Sequence, residues 1–303
     1  MERKSIGAAA LLALASMPAA AVEGMDVFQQ VRPSLVQLVG VSADGRYSLG
    51  SGVALPDGNI VTNCHVTLRA RRVEPFWGGS AFKAESQRAD VPHDLCTLRI
   101  PGLQARPVEV AKSNELHVGD QVHAVGFNGG RSLTYQSGEV VELFEFDGGM
   151  VIRTTAAFRQ GASGGGLFDD RGRLVGILTF VRVAGEQSYF AIPVEWLKLV
   201  AALPSNEIGP LEGVPFWADS LERQPAFLQA GALEADGRWE ELATLARGWT
   251  QARPDDGLAW LTLAKAALNT GDSSTARVAF QRAAQQGMTF AADLIPFADP
   301  AVP

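Results

Sequence analysis

Between about Ser34 and Pro193 the chain reads as short β-branched or alternating apolar and polar runs, separated by turn-forming Gly, Pro, Asn and Asp. A period of two puts successive side chains on opposite faces of a strand. The pattern therefore predicts strands over residues 35–41, 52–55, 60–62, 95–100, 121–125, 139–145, 150–154, 174–179 and 188–192. Pro56-Asp57-Gly58-Asn59, Asp147-Gly148-Gly149 and Asp169-Asp170-Arg171-Gly172 supply turns between them. Many short strands at close spacing imply a mainly β domain, built as a barrel or a sandwich.

The period changes near residue 195. Trp196, Leu197, Leu199, Val200 and Leu203 recur at helical spacing and stop against Pro204. Residues 204–214 are turn-rich, carry no clear period and read as a linker. Residues 215–303 are rich in alanine and leucine, and Asp236-Gly237 is echoed by Gly271-Asp272 with the two glycines 34 residues apart. Trp260, Leu263, Ala264, Ala267, Gly271, Ala276, Phe280 and Ala283 have the spacing of a tetratricopeptide repeat. In such a unit short side chains let two helices approach closely while the aromatics fill the groove. The unit before it, about 223–256, keeps only Gly237 and Pro254 and reads as a degenerate repeat or capping hairpin. Two units are few for a free-standing solenoid, so docking on the β domain is expected to supply the missing burial.

Composition adds limits. A chain of 303 residues with 47% hydrophobic and 19% charged residues is that of a folded protein with more than one core, which excludes wholesale disorder. Arg3 and Lys4 precede an apolar run from Ile6 to Met17, closed by Pro18-Ala19-Ala20-Ala21. Residues 1–21 therefore read as a Sec-type signal peptide cleaved after Ala21, too short in its apolar part for a permanent span. The mature protein is expected in the periplasm or outside the cell with no membrane anchor, its β domain occupying 22–203. The formal net charge is −7, and removal of the leader's net +1 leaves −8. An acidic chain without a Lys/Arg cluster argues against nucleic acid as a partner. Cys64 and Cys96 are the two cysteines, and export permits a bridge between them, although two buried thiols satisfy the sequence as well.

Gly161-Ala162-Ser163-Gly164-Gly165 places a serine in a turn whose main-chain N–H groups are left unobstructed, as an oxyanion site requires. By itself the motif also fits the nucleophile elbow of α/β-hydrolases. His65, His93, His117 and His123 all precede Ser163, whereas that fold needs its histidine after the serine. An aspartate-first order would need alternating helices and strands that the chain lacks. His65 follows a strand-like Ile60-Val61-Thr62 and would be delivered from a rigid element. His93 is expected to face away from any site that Asp94 serves, because neighbours on an extended strand point oppositely. It reads as a solvated or hydrogen-bonded surface histidine, as do His117 and His123.

Five ordered segments carry a resemblance: Gly50-Ser51-Gly52-Val53, Val61-Thr62-Asn63-Cys64-His65-Val66, His93-Asp94-Leu95-Cys96-Thr97-Leu98, Leu116-His117-Val118-Gly119-Asp120, and Thr154 to Phe158 running into Gly161-Ala162-Ser163-Gly164-Gly165. Together they resemble the HtrA/Deg serine proteases over about residues 26–200. The resemblance implies a chymotrypsin-like double β-barrel and a serine endopeptidase that needs no cofactor or metal. It implies that Ser163 is the nucleophile, His65 the general base and Asp94 the carboxylate orienting it, with the N–H groups of Gly161 and Ser163 holding the oxyanion. Neutral imidazole suits that task because its ordinary pKa lies near 6.5. It further places Phe158, Thr179, Phe180 and Val181 beside the substrate, with an apolar first pocket. Cys64 and Cys96 would flank the triad, where a bridge could staple it.

The chain departs from that family in three ways. Helices stand where a PDZ domain would follow, so recognition of C-terminal peptides is not carried over. Ala162 offers no polar side chain to brace the loop, so other contacts must set it. Arg182 replaces an aliphatic residue and leaves acidic or polar preferences open. No aliphatic activation sequence begins the mature chain, and activation by cleavage is not expected. Expected partners are protein or peptide substrates, and a protein partner or a second copy bound through the repeat region. The alternative is a silent protease-fold scaffold acting through its helices.

Overall fold

The computed structural model describes residues 26–184 and 186–298, so the signal-peptide reading of residues 1–21 lies outside the described residues. A helical segment over residues 26–31 leads into fourteen strands. These are β1 (Leu35–Ser42), β2 (Tyr47–Ala54), β3 (Ile60–Thr62), β4 (Ala70–Trp77), β5 (Ser80–Ala81), β6 (Ser86–Asp90), β7 (Leu95–Arg99), β8 (Gln121–Asn128), β9 (Ser132–Phe146), β10 (Gly149–Thr154), β11 (Gly166–Asp169), β12 (Leu174–Ala184), β13 (Glu186–Pro193) and β14 (Asn206–Glu207).

Strands β8 to β13 close a six-stranded antiparallel barrel in the order β10-β13-β12-β11-β8-β9. The first lobe does not close. It is an eight-stranded sheet in the order β14-β6-β7-β3-β2-β1-β4-β5, a correction to the expected pair of barrels. Its two edge strands, β5 and β14, are two residues each, and no ladder joins them.

Apolar faces make both lobes cohere. Val36, Leu38, Ile60, Val73 and Leu98 fill the first, and Val122, Ile152, Leu167, Leu178 and Ala191 fill one layer of the barrel. A larger cluster runs between the lobes and includes Leu95, Val125, Ile177 and Trp196. The helical period after residue 194 becomes a 3-10 turn, Val194–Trp196, and a helix, Leu197–Ala201. Trp196 is fully buried there, and its indole N–H donates to the Asp147 carbonyl at 3.0 Å.

The stretch read as a linker is laid along the first lobe. Asn206 and Glu207 pair with Gln87 and Ser86 of β6. The Gln87 side chain donates to Gly209 O at 2.9 Å, Leu211 N–H to Leu68 O at 2.8 Å, and Phe216 N–H to Pro92 O at 2.9 Å.

Four helices follow: α1 (Ala226–Ala235), α2 (Trp239–Ala252), α3 (Gly257–Asn269) and α4 (Ser273–Gln285), then a 3-10 segment, Thr289–Ala298. The 34-residue echo is a repeated helix stop. Gly237 and Gly271 both take positive φ, 65° and 80°, where glycine pays no Cβ penalty. The next N–H then folds back in each case, Arg238 to Leu233 O and Asp272 to Ala267 O, both at 2.9 Å. Asp256 and Asp272 cap α3 and α4 by accepting main-chain N–H groups of the first turn. Ala264, Ala267, Ala276, Phe280 and Ala283 are buried against one another.

The helices dock on the barrel through aromatics. Phe227 stacks on Phe144 with ring centroids 4.5 Å apart, and Phe216 sits 5.2 Å from Phe146 and 5.9 Å from Trp196. Phe216, Phe227 and Leu228 thereby join the inter-lobe core. A cavity of about 690 Å³ lies between the helices and the barrel, lined by Glu142, Phe144, Arg153, Phe227 and Lys265 among others. Burial pushes the Glu142 carboxyl above its ordinary range, against the opposing pull of Arg153 and Lys265. The cavity touches none of His65, Asp94 and Ser163.

Candidate active site

Strand β3 is fully buried between β2 and β7, and the chain leaves it through Asn63 into a one-turn helix, Cys64–Thr67. That turn presents His65. Asp94 ends the tight turn before β7 with φ at 58°, a left-handed conformation that aspartate tolerates better than most residues. It is held there by its own main chain: Asp94 N–H donates to Val91 O at 3.0 Å, and Asp94 O accepts from Cys64 N–H at 3.2 Å and from the Asn63 amide at 3.0 Å.

The Asp94 carboxylate is fully buried, so it requires donors on its lone pairs. Oδ1 accepts from the His65 main-chain N–H at 2.8 Å. Oδ2 lies 2.6 Å from His65 Nδ1 and also accepts the Trp217 indole N–H at 2.9 Å. With its proton on Nδ1, a neutral ring leaves Nε2 as an acceptor. The imidazole keeps about a quarter of its surface exposed.

Ser163 approaches from the barrel. Its hydroxyl donates to Thr179 O at 3.3 Å. Asn63 spans the gap, since its amide donates both to Asp94 O and to Thr179 Oγ1, each at 3.0 Å. Among the described residues no hydrogen bond joins Ser163 Oγ to His65, a contact that tightens in many enzymes only when substrate arrives.

The loop before Ser163 is built on glycine. Gly161 has φ at 94°, and a Cβ there would lie 2.6 Å from Phe127 O. Gly164 has φ at 85°, and a Cβ would lie 2.2 Å from Ser51 O. Ala162 N–H donates to Arg159 O, Gly164 N–H to Leu178 O and Gly165 N–H to Ala162 O. The N–H groups of Gly161 and Ser163 donate to no acceptor among the described residues. Two donors are therefore free on either side of Ala162, where an anionic oxygen could take them.

The brace that Ala162 cannot supply comes from Ser51, a fully buried residue of β2. Its hydroxyl donates to Gly161 O at 2.8 Å and accepts Phe127 N–H at 2.8 Å, while its N–H donates to Ser163 O at 2.8 Å. The Thr62 hydroxyl donates to Ser51 O at 2.7 Å. Ser51, Asn63 and Trp217 carry no role in the sequence reading. The first two stand in the motifs at Gly50 and Val61 without a pattern that singles them out. Trp217 lies 123 residues from Asp94, beyond the region of resemblance.

The remaining candidates divide. Phe158 is buried with its ring 5.5 Å from that of Tyr189. Thr179 spends its hydroxyl on Ile177 O and on Asn63. Phe180 is stacked between Phe190 at 4.6 Å and Trp217 at 5.2 Å, so its ring faces are covered. Val181 pairs with Tyr189 across β13. Arg182 is spent on the C-terminal segment, donating to Trp217 O at 3.2 Å and to Gln224 Oε1 at 2.5 Å. The Cys64 and Cys96 Cα atoms are 4.9 Å apart, beside His65 and Asp94.

His93 points away from this centre. Its Nδ1 and Nε2 each lie 2.8 Å from a carboxylate, Asp90 of β6 and Asp147 of the barrel. Burial alone would lower its pKa, but the two aspartates outweigh it and leave it raised. His117 is exposed beside Asp120. His123 is buried rather than on the surface, because Tyr135 OH and Asp170 satisfy its two nitrogens at 2.8 Å each.

With this geometry in view, residues 50–177 match the family model described as a trypsin-like peptidase domain. The segment is a trypsin-like peptidase domain. The chain is 32% identical over 166 residues to the serine endoprotease DegS of Haemophilus influenzae, covering 49% of this chain and 47% of that one. It is 33% identical over 165 residues to the periplasmic pH-dependent serine endoprotease DegQ of Escherichia coli, covering 50% and 36%. The chain spans less than half the length of the curated relatives it matches. The active form of a protease from M. tuberculosis superposes with a TM-score of 0.57 at 21% identity, covering 71% of this chain and 99% of that one, a likeness of fold. The HtrA-type protease AlgW with a tripeptide gives 0.54 at 26% identity, covering 59% and 62%. The matches to the two curated relatives cover half of the chain or less, and the peptidase domain itself ends before the helices begin.

Proposed function

We propose that the chain is a serine endopeptidase that cleaves peptide bonds in exposed segments of proteins, with Ser163 as nucleophile, His65 as base and Asp94 as the group that orients it. The observation that carries this reading is the buried Asp94 carboxylate, 2.6 Å from His65 Nδ1, with the preceding Asn63 bonded to Thr179, the same residue whose carbonyl accepts the Ser163 hydroxyl. Ser163 Oγ attacks the scissile carbonyl carbon and gives its proton to His65 Nε2. The tetrahedral oxygen takes the free N–H groups of Gly161 and Ser163. The C–N bond then breaks as His65 returns the proton to the leaving amine. Water, activated by the same base, hydrolyses the acyl-enzyme.

Substrate main chain adds along β12 at Thr179 to Val181. Support comes from the pairing of β12, which is bonded to β11 only as far as Ile177 while β13 occupies its other side. Phe158 beside Tyr189 favours an apolar first side chain. Cys64 and Cys96 form a disulfide next to the triad. Residues 1–21 direct export to the periplasm or beyond, in keeping with the periplasmic name of a relative. The helices are a tetratricopeptide-like pair, as the repeated stop at Gly237 and Gly271 supports, and they hold a protein partner or a second copy.

A serine-directed phosphonate probe and a protease-sensitive unfolded protein test this. Wild-type protein is expected to be labelled and to cleave. Ser163→Ala is expected to do neither while keeping its melting temperature. Labelling that persists in Ser163→Ala refutes the assignment.

A further inference from the structure

The Asp94 carboxylate has a third donor that belongs to neither the barrel nor the first lobe. Trp217 sits after the strap over residues 204–216, and its indole N–H reaches Asp94 Oδ2 at 2.9 Å. The ring stands edge-on to His65, centroids 5.6 Å apart and planes at 84°, and stacks on Phe180 at 5.2 Å and 12°. Its main-chain oxygen is held by Arg182, which also grips Gln224, and the neighbouring Phe216 is pinned to Pro92 O. The indole N–H and one ring face are thus engaged with Asp94 and with the strand that borders the cleft, and the main-chain oxygen is held by Arg182 and Gln224.

From this the geometry points to Trp217 as a positioning residue for the triad, which makes the segment from Pro215 to Gln224 a working part of the peptidase; the inference rests on the proposed endopeptidase reading. The physical requirement is plain. A carboxylate that orients an imidazole must itself be fixed, and at 0% exposure it has no water to fix it. The Thr179 hydroxyl of the barrel wall, which Asn63 links to the Asp94 main chain, is engaged by Ile177 O and Asn63. The main-chain N–H of His65 holds Oδ1, so Oδ2 would otherwise depend on the moving imidazole alone. Trp217 supplies the second bond to that oxygen and stops the carboxyl group from turning about its own axis while His65 Nε2 serves Ser163. Among the described residues His65 is the only ionisable side chain within hydrogen-bond reach of Asp94, so the tryptophan acts through that pair.

Trp217→Phe tests this in the full chain, since it keeps a stacking ring over Phe180 and removes the N–H. Four quantities are measured: kcat and KM on a peptide substrate, the labelling rate with a small phosphonate that occupies no extended subsite, and the His65 Nδ1–H proton resonance in a Ser163→Ala background. The expected result is a loss of roughly tenfold in both kcat and labelling rate, the size of one charge-assisted hydrogen bond, with KM little changed and the resonance displaced. Trp217→Phe in an Asp94→Ala background is expected to add no further loss, because the two act as one unit. An unchanged labelling rate and an unmoved resonance, with only KM or melting temperature altered, overturn the proposal and leave Trp217 as packing. Wild-type protein that resists the probe overturns the endopeptidase reading instead, and the resonance still decides whether Trp217 holds Asp94.

Discussion

Ser51→Ala removes one oxygen from the junction of the two lobes, and its cost can be worked from the contacts. The hydroxyl donates to Gly161 O and accepts Phe127 N–H, each at 2.8 Å, at a residue with no solvent exposure. Alanine takes the Ser51 partner from a buried carbonyl and from a half-buried N–H. Each such orphan costs about 1–3 kcal/mol, so a destabilisation of about 2–6 kcal/mol is expected from the two. With a urea dependence of about 1–3 kcal/mol per molar, the unfolding midpoint should fall by roughly 1 M or more. Gly161 also carries one of the two free N–H donors that flank Ala162, and Ser51 is the side chain that holds the next peptide, joining Gly161 to Ala162, through its carbonyl. Loosening it should lower kcat by about tenfold or more, since a misaligned oxyanion donor forfeits part of a contribution of about 3–4 kcal/mol. Urea unfolding followed by tryptophan fluorescence, with kcat measured on active-site-titrated enzyme, gives both numbers. A midpoint and a kcat that both match wild type would refute the claim that Ser51 braces the loop.

Two further outcomes follow from the same contacts. His93 has a raised pKa in the folded state, so the stability it contributes is present in full below about 6.5 and is lost as pH rises through the folded value. The stability gap between wild type and His93→Gln should therefore be largest in mild acid and shrink toward alkaline pH, and a gap that grows with pH in chemical unfolding contradicts the clamp. If Cys64 and Cys96 are bridged, the pair closes a loop with a sequence separation of 32, and reduction should cost roughly 3–4 kcal/mol. Two free thiols titrated in unfolded, unreduced protein would exclude the bridge.

Part of the β architecture was legible from short apolar and β-branched runs closed by turn residues, as at β1, β8 and β10, although their burial does not alternate cleanly: Val122 to Gly126 of β8 are buried in succession. Other strands were not. β4 carries Arg71, Arg72, Glu74 and Pro75 in a run that reads as a loop until β1 is there to pair with it. β11 is four buried residues, too short to establish a period. His65 and Ser163 could be picked out by their order and flanking glycines, and Asp94 came with the family resemblance. Trp217 could not, because its role depends on where a strap of a dozen residues ends in space, which no local pattern encodes. The closure of the first lobe was likewise illegible, since it turns on whether two-residue edges meet.

The strap has a consequence for how the two halves of the molecule can be recombined. Between Asn206 and Phe216 the backbone is fastened to the first lobe at four successive points, so the distance it travels is metered residue by residue. One residue inserted within it would carry the indole past its aspartate or strand it short. A foreign helical module can be grafted onto this chain without loss only downstream of Gln224, where the meter has already been read.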